Sequence, residues 1–135
     1  MDHLKFLIAA GACAFHATVF SQSNTGGGNI ENGKVIYEQS CLACHQADGS
    51  GVPGLAPPLI HGTFVNGEKA KLIKILLEGM EGVEIKGEVY ANPMPAFDYL
   101  SDQEIADVLT YVRGHFKNEQ EGVSAGEVKA MRKSR

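Results

Sequence analysis

Cys41-Leu42-Ala43-Cys44-His45 is the stretch on which the reading of this chain turns. Two thiols three positions apart, followed at once by a histidine, make the C-x-x-C-H pattern of covalent c-type haem attachment. On a helix or helix-like turn, Cys41, Cys44 and His45 stand at i, i+3 and i+4 and share one face. Each thiol can then add to a haem vinyl group while the imidazole faces the iron. Three other readings use the same residues. A thioredoxin-like pair belongs beside a βαβ alternation, and none surrounds this stretch. A structural zinc site needs four Cys or His ligands; Cys13 falls in a leader, and His61 and His115 stand alone. A Cys41–Cys44 disulfide stays open, but it leaves His45 without a part.

Upstream of this stretch the chain prepares for export. Residues 1–21 read as a signal peptide: Lys5, offset by Asp2, precedes a mostly apolar run from Phe6 to Phe20, with a cleavage point after Ser21. The run is shorter than the roughly 20 apolar residues of a comfortable membrane span. An uncleaved leader, or a lipid on Cys13, would tether the domain to a membrane. A periplasmic location suits the cysteines, because a C-x-x-C outside the cytoplasm oxidises unless it is captured. Residues 22–29, rich in Gly, Ser and Asn, read as a flexible linker.

The whole chain, 135 residues with a formal charge of -4, suffices for one small domain. Its acidic balance argues against nucleic acid, which favours a basic face. Trp is absent and aromatics are only 7%, so a covalently held macrocycle would supply core that the side chains lack.

Downstream, the elements follow in order. A first helix is expected from Ile30 to the cysteines, with Gly33 tolerated for a close approach to another helix. Gln46 to Asn66 is loop, punctuated by Gly and Pro, and of a length that suggests function. Asn66 is placed to cap a second helix ending at Gly79, apolar nearly all round and so buried on more than one side. A short hairpin around Gly87 comes next, then Asn92-Pro93-Met94-Pro95-Ala96-Phe97. Two prolines fix φ on either side of one thioether, which marks Met94 as a presented ligand rather than core filler. Met80, without that bracket, is the second candidate. Ser101 and Glu104 form a capping box opening an amphipathic helix over Ile105, Val108, Leu109, Val112 and Phe116. Arg113, His115 and Lys117 suit the negative pole of that helix. Residues 118–123 read as a linker, and a second capping box, Ser124 and Glu127, opens a short basic tail helix whose charges are solvated or dock a partner.

These pieces together resemble the class I, mitochondrial-type cytochromes c, in particular small bacterial monohaem domains. The matching parts are Gly33-x-x-x-Tyr37, Cys41-x-x-Cys44-His45, Pro57-Pro58-Leu59, Met94-Pro95-x-Phe97, and Leu100-Ser101-Asp102-x-Glu104-Ile105 leading to Leu109-Thr110-Tyr111-Val112-Arg113. The resemblance implies an all-α cytochrome c fold, three main helices plus a short C-terminal helix around one covalent haem c. The domain would span residues 30–117, followed by an extension over 118–135. It also implies a crossing of the first and last main helices near Gly33, Tyr37 and Tyr111. His45 and Met94 would be the axial ligands, and the carbonyl of Pro57, or alternatively Pro58, would hold the other ring nitrogen of His45. The function implied is that of an electron carrier, not an enzyme, cycling Fe(III)/Fe(II) between a redox donor and acceptor protein as a monomer or a small subunit. The alternatives are a fixed haem subunit of a larger dehydrogenase, for which the tail helix would be the interface, and an open-site peroxidase or gas-binding haem protein.

Overall fold

The computed structural model describes residues 27–134, so the expected signal peptide and its cleavage point, Cys13, and most of the 22–29 stretch lie outside the described residues. Within them the fold is all-α but for one two-stranded hairpin. Helix α1 spans Ile30–Ser40, capped by the Asn29 side chain, which accepts from the Asn32 amide at 2.9 Å. A four-residue turn of helix, α2 (Leu42–His45), follows directly. Helix α3 runs over Lys69–Glu78, α4 over Asp102–Gly114 and α5 over Ala125–Lys133. Strands β1 (Glu84–Ile85) and β2 (Glu88–Val89) pair antiparallel, with Glu84 opposite Val89. Their turn uses Lys86 and Gly87, both at positive φ as a tight primed turn requires.

The frame is the crossing of α1 over α4. Gly33 lies against the α4 backbone so closely that a Cβ there would overlap the Asp107 carbonyl and crowd the Tyr111 Cβ. Below the crossing, the Tyr37 ring packs on Tyr111 and Phe116 at 5.6 and 5.1 Å between centroids. Above it, the buried Asp107 carboxylate accepts from the Asn29 amide, Asn32 Nδ2 and Gln103 Nε2 at 2.7, 2.6 and 2.8 Å. A buried carboxylate with three donors is stabilised rather than stranded.

Four expectations are corrected. Asn66 does not cap α3: the helix begins after Glu68 without a side-chain cap, and the Asn66 carboxamide donates to Asn118 Oδ1 instead. Helix α4 stops at Gly114, because Phe116 and Lys117 both adopt positive φ. Arg113 does not serve the helix pole; it is buried, donating from Nε to the Glu121 carbonyl and from one terminal nitrogen to the Val65 and Gly67 carbonyls. Three carbonyls held by one guanidinium fix the end of the long loop against α4. Finally, the segment read as a linker is packed. Asn118 and Val123 are buried, and the Thr110 hydroxyl accepts from the Gly28 and Val123 amides while donating to the Val123 carbonyl.

Helix α5 shares the same core. Val128 is fully buried, and Arg132 reaches Asp102 at 2.8 Å and the carbonyls of Asp98 and Leu100. Among the described basic residues of α5, Lys129 and Lys133 are exposed. No described helix is long and apolar enough to cross a membrane.

Candidate cofactor site

The C-x-x-C-H stretch sits where α1 ends. The Cys41 amide still donates to the Tyr37 carbonyl, and the amides of Cys44 and His45 both return to the Cys41 carbonyl at 3.2 and 2.9 Å. Cys41, Cys44 and His45 therefore stand on one helical turn, as their spacing requires. The Tyr37 hydroxyl clamps the far side of this turn by donating to the Gln46 carbonyl at 2.7 Å. Cys41 is half-buried, Cys44 is exposed, and the two thiols are not bonded to each other. Burial, with Cys44 adding to it, pushes the Cys41 thiol up to about 11. A redox-active dithiol works through a depressed thiolate pKa, and Cys41 is shifted the opposite way.

His45 is buried, and its Nδ1 lies 3.0 Å from the Pro57 carbonyl. A carbonyl can only accept, so Nδ1 carries the hydrogen and Nε2 keeps its lone pair. Burial lowers the pKa of the imidazole, and the Pro57 bond opposes that only in part. The ring is thus neutral at neutral pH, the form in which histidine binds metals. Pro57, rather than Pro58, makes the contact. It is held there by the loop around it, where Val52 and Ala56 bridge and the Gly51 amide donates to the His45 carbonyl.

Met94 comes to the same cavity from a second loop. Its loop is tied on every flank: the Met94 and Met80 backbones exchange both hydrogen bonds at 2.9 Å, and the Phe97 amide donates to the Leu76 carbonyl at the end of α3. The amides of Ala91 and Asn92 donate to the carbonyls of Gly54 and Leu55. Gly79, at φ 78, lets the chain turn into the bridge; a Cβ there would press on the Met94 carbonyl. The Met80 pairing was invisible in sequence, since a two-residue bridge between segments 14 apart leaves no periodic trace.

These groups meet in one apolar cavity between α1, α3 and α4, lined by Tyr37, Cys41, His45, Pro57, Met80 and Met94 together with Leu and Ile side chains of the helices. An adjoining pocket shares Cys41, His45, Pro57 and Met94 with this cavity and is lined also by Cys44, Asn92 and Pro93. His61 is exposed outside this cavity and His115 stacks on Tyr111 at 4.6 Å, so neither joins the set. Among the described residues no three His, Cys, Asp or Glu side chains gather as a metal cage. One thiol, an imidazole with its lone pair kept free, and thioethers on an apolar cavity, with a second thiol on the adjoining pocket, suit a thioether-linked haem.

Comparison with known proteins agrees. The family model described as "Cytochrome c" matches residues 30–115. The gluconate 2-dehydrogenase cytochrome c subunit of Pantoea cypripedii is 34% identical over 139 residues, covering 96% of this chain and 32% of that protein. Cytochrome c-552 of Thermus thermophilus is 42% identical over 86 residues, 60% of this chain and 65% of that one. The fructose dehydrogenase cytochrome subunit of Gluconobacter japonicus is 34% identical over 119 residues, 82% of this chain and 24% of that one. The chain thus spans less than two thirds of the length of each of these relatives.

Proposed function

The chain belongs to the cytochrome c family, and from that premise we propose that it is a one-electron carrier with a single covalent haem c, bound through Cys41, Cys44 and His45 and closed by Met94. The observation that carries this reading is the convergence of Cys41, His45 and Met94 on one apolar cavity, with His45 Nδ1 already occupied by Pro57. When bound, haem c supplies the Fe(III)/Fe(II) couple. The protein does the rest. Cys41 and Cys44 fix the group covalently from the α2 turn. Pro57 holds the tautomer and orientation of His45, leaving Nε2 for the metal. The bridge to Met80 and the two flanking prolines hold Met94 on the cavity with little freedom, and a thioether ligand raises the potential. With His45 Nε2 and the Met94 thioether both available to the iron, no coordination position would be left for a substrate, which favours a carrier over an open-site peroxidase or gas binder.

Partners would be redox proteins, donor and acceptor, met in small, short-lived contacts, and the location periplasmic, with or without a membrane tether. A second reading, a resident haem subunit of a dehydrogenase, is favoured by one observation: 96% of this chain aligns with the gluconate 2-dehydrogenase cytochrome subunit. The two readings share the site and differ in whether the chain leaves its donor; purification under mild conditions, with or without a large partner, separates them.

The ligand assignment is tested by Met94→Ala beside Met80→Leu. Met94→Ala lowers the midpoint potential and lets the ferrous protein bind carbon monoxide, whereas Met80→Leu keeps a closed iron. Unchanged midpoint and spectrum in Met94→Ala, or carbon monoxide binding only in Met80→Leu, would contradict it.

A further inference from the structure

The loop that carries Met94 is anchored differently on its two sides. Upstream, main-chain hydrogen bonds hold it: the Ala91 and Asn92 amides to the Gly54 and Leu55 carbonyls, and the paired Met80 and Met94 backbones. Downstream, the segment runs over the surface, with Pro95, Asp98 and Tyr99 exposed, Tyr99 at 71%. Met94, Phe97 and Leu100 nevertheless all line the cavity, so the course of this segment sets where the thioether stands. The Phe97 amide ties it to the Leu76 carbonyl at 2.7 Å. Beyond Phe97 the hold passes to Arg132 of α5. One terminal nitrogen of Arg132 donates to the Asp98 carbonyl at 2.8 Å, the other to the Leu100 carbonyl at 2.7 Å, and Nε to Asp102 Oδ1 at 2.8 Å. Arg132 is itself well founded, because Val128 on the same helix is fully buried and Met131 packs against the core.

Resting on the reading above, in which Met94 closes the site, we propose that Arg132 is a positioning residue for that ligand. By clasping the carbonyls of Asp98 and Leu100 it keeps the loop shut, and so sets how readily an outside ligand displaces the thioether. A guanidinium presents its donors in a rigid planar fork, so three acceptors bound at once fix the end of the loop, the first turn of α4 and α5 relative to one another. Such bonds from a charged donor are stronger than neutral ones. With φ fixed at Pro93 and Pro95, backbone motion here moves the loop as a unit, and its downstream end is where Arg132 grips. The tail helix thereby belongs to the ligand site, although none of its residues lines the cavity.

The test is a titration of the ferric holoprotein with imidazole, read on the weak long-wavelength absorption of methionine-ligated iron. Imidazole competes with Met94 for the iron, so its apparent affinity scales with the fraction of molecules whose loop is open. Arg132→Leu raises that affinity by about tenfold or more, since it removes the bonds of a charged donor. Arg132→Lys keeps the charge and much of the stem, but a single ammonium cannot reproduce the planar fork, so it shifts the affinity the same way by less. Lys69→Met also removes a positive charge and loosens α5 from its other side, by breaking the ties to Glu121 and Glu127 at 3.1 and 3.4 Å. It leaves the imidazole affinity at the parent value. Parent-like affinity in both Arg132 variants would overturn the proposal. So would an equal rise in Lys69→Met, which would make the effect one of helix docking in general. A parent protein without the methionine absorption would overturn the ligand reading and this proposal together, and the spectrum recorded before the titration tells the cases apart.

Discussion

At residue scale, Gly33 shows most plainly what the sequence could and could not say. A glycine in mid-helix is costly by about 1 kcal/mol relative to Ala, and that cost announced a close helix approach. The structure supplies its object, the Asp107 carbonyl. Gly33→Ala therefore reverses its usual sign: the helix gains propensity, but the added methyl forces α1 off α4. Denaturant unfolding of the variant should show a net loss of about 2 kcal/mol or more, whereas Ala at an exposed glycine such as Gly114, with open space around it, costs little through packing. Equal stability of Gly33→Ala and the parent would mean that α1 and α4 do not touch there. The Asp107 carboxylate was not legible in the same way. An acidic residue on an amphipathic helix reads as solvated, and only the fold brings Asn29, Asn32 and Gln103 around it.

At the scale of elements, local signals were the readable ones. Both capping boxes are present, because Ser101 with Glu104 and Ser124 with Glu127 close within four residues. The Lys86-Gly87 turn is local too. What sequence could not supply was the partner of each element. Helix α5 looked like an appended basic helix, yet it buries Val128 and ties Arg132 to Asp102 and two carbonyls. Removing residues 122–135 would therefore expose the α4 face and strip Thr110 of the Val123 carbonyl and amide. The melting temperature of the holoprotein should fall by several degrees even where no partner is present. An unchanged melting temperature would restore the tail to a mere appendage. The N-terminus of α5 also sets a pH response. Burial pulls the Glu127 pKa up, but the Ser124 hydrogen bonds and Lys69 outweigh it, leaving the carboxyl below its ordinary 4.5. A lowered carboxylate pKa gives stability that is present above the ordinary value and lost as pH falls through the folded one. Glu127→Gln should therefore flatten the acid limb of the stability–pH curve below about pH 4.5 without altering the neutral plateau's dependence on pH. A steeper acid limb in the variant would contradict the assignment.

For the molecule as a whole, the chemistry-bearing residues stood out in sequence because haem attachment demands a fixed spacing, and a bracketed methionine is unusual enough to notice. Their joint arrangement did not. That Tyr37 clamps Gln46, that Met80 pairs with Met94, and that the Ala91 and Asn92 amides reach the Gly54 and Leu55 carbonyls are properties of the folded chain alone. The central claim is the covalent macrocycle between Cys41 and Cys44. Its most direct measurement is the intact mass, with the visible spectrum, of protein produced alongside a c-type maturation system and extracted with acidified acetone. One haem per chain, retained through extraction and lost from the mass in a Cys41→Ser/Cys44→Ser variant, is the result expected. A colourless polypeptide of bare-chain mass, or a haem that washes out intact, would contradict it.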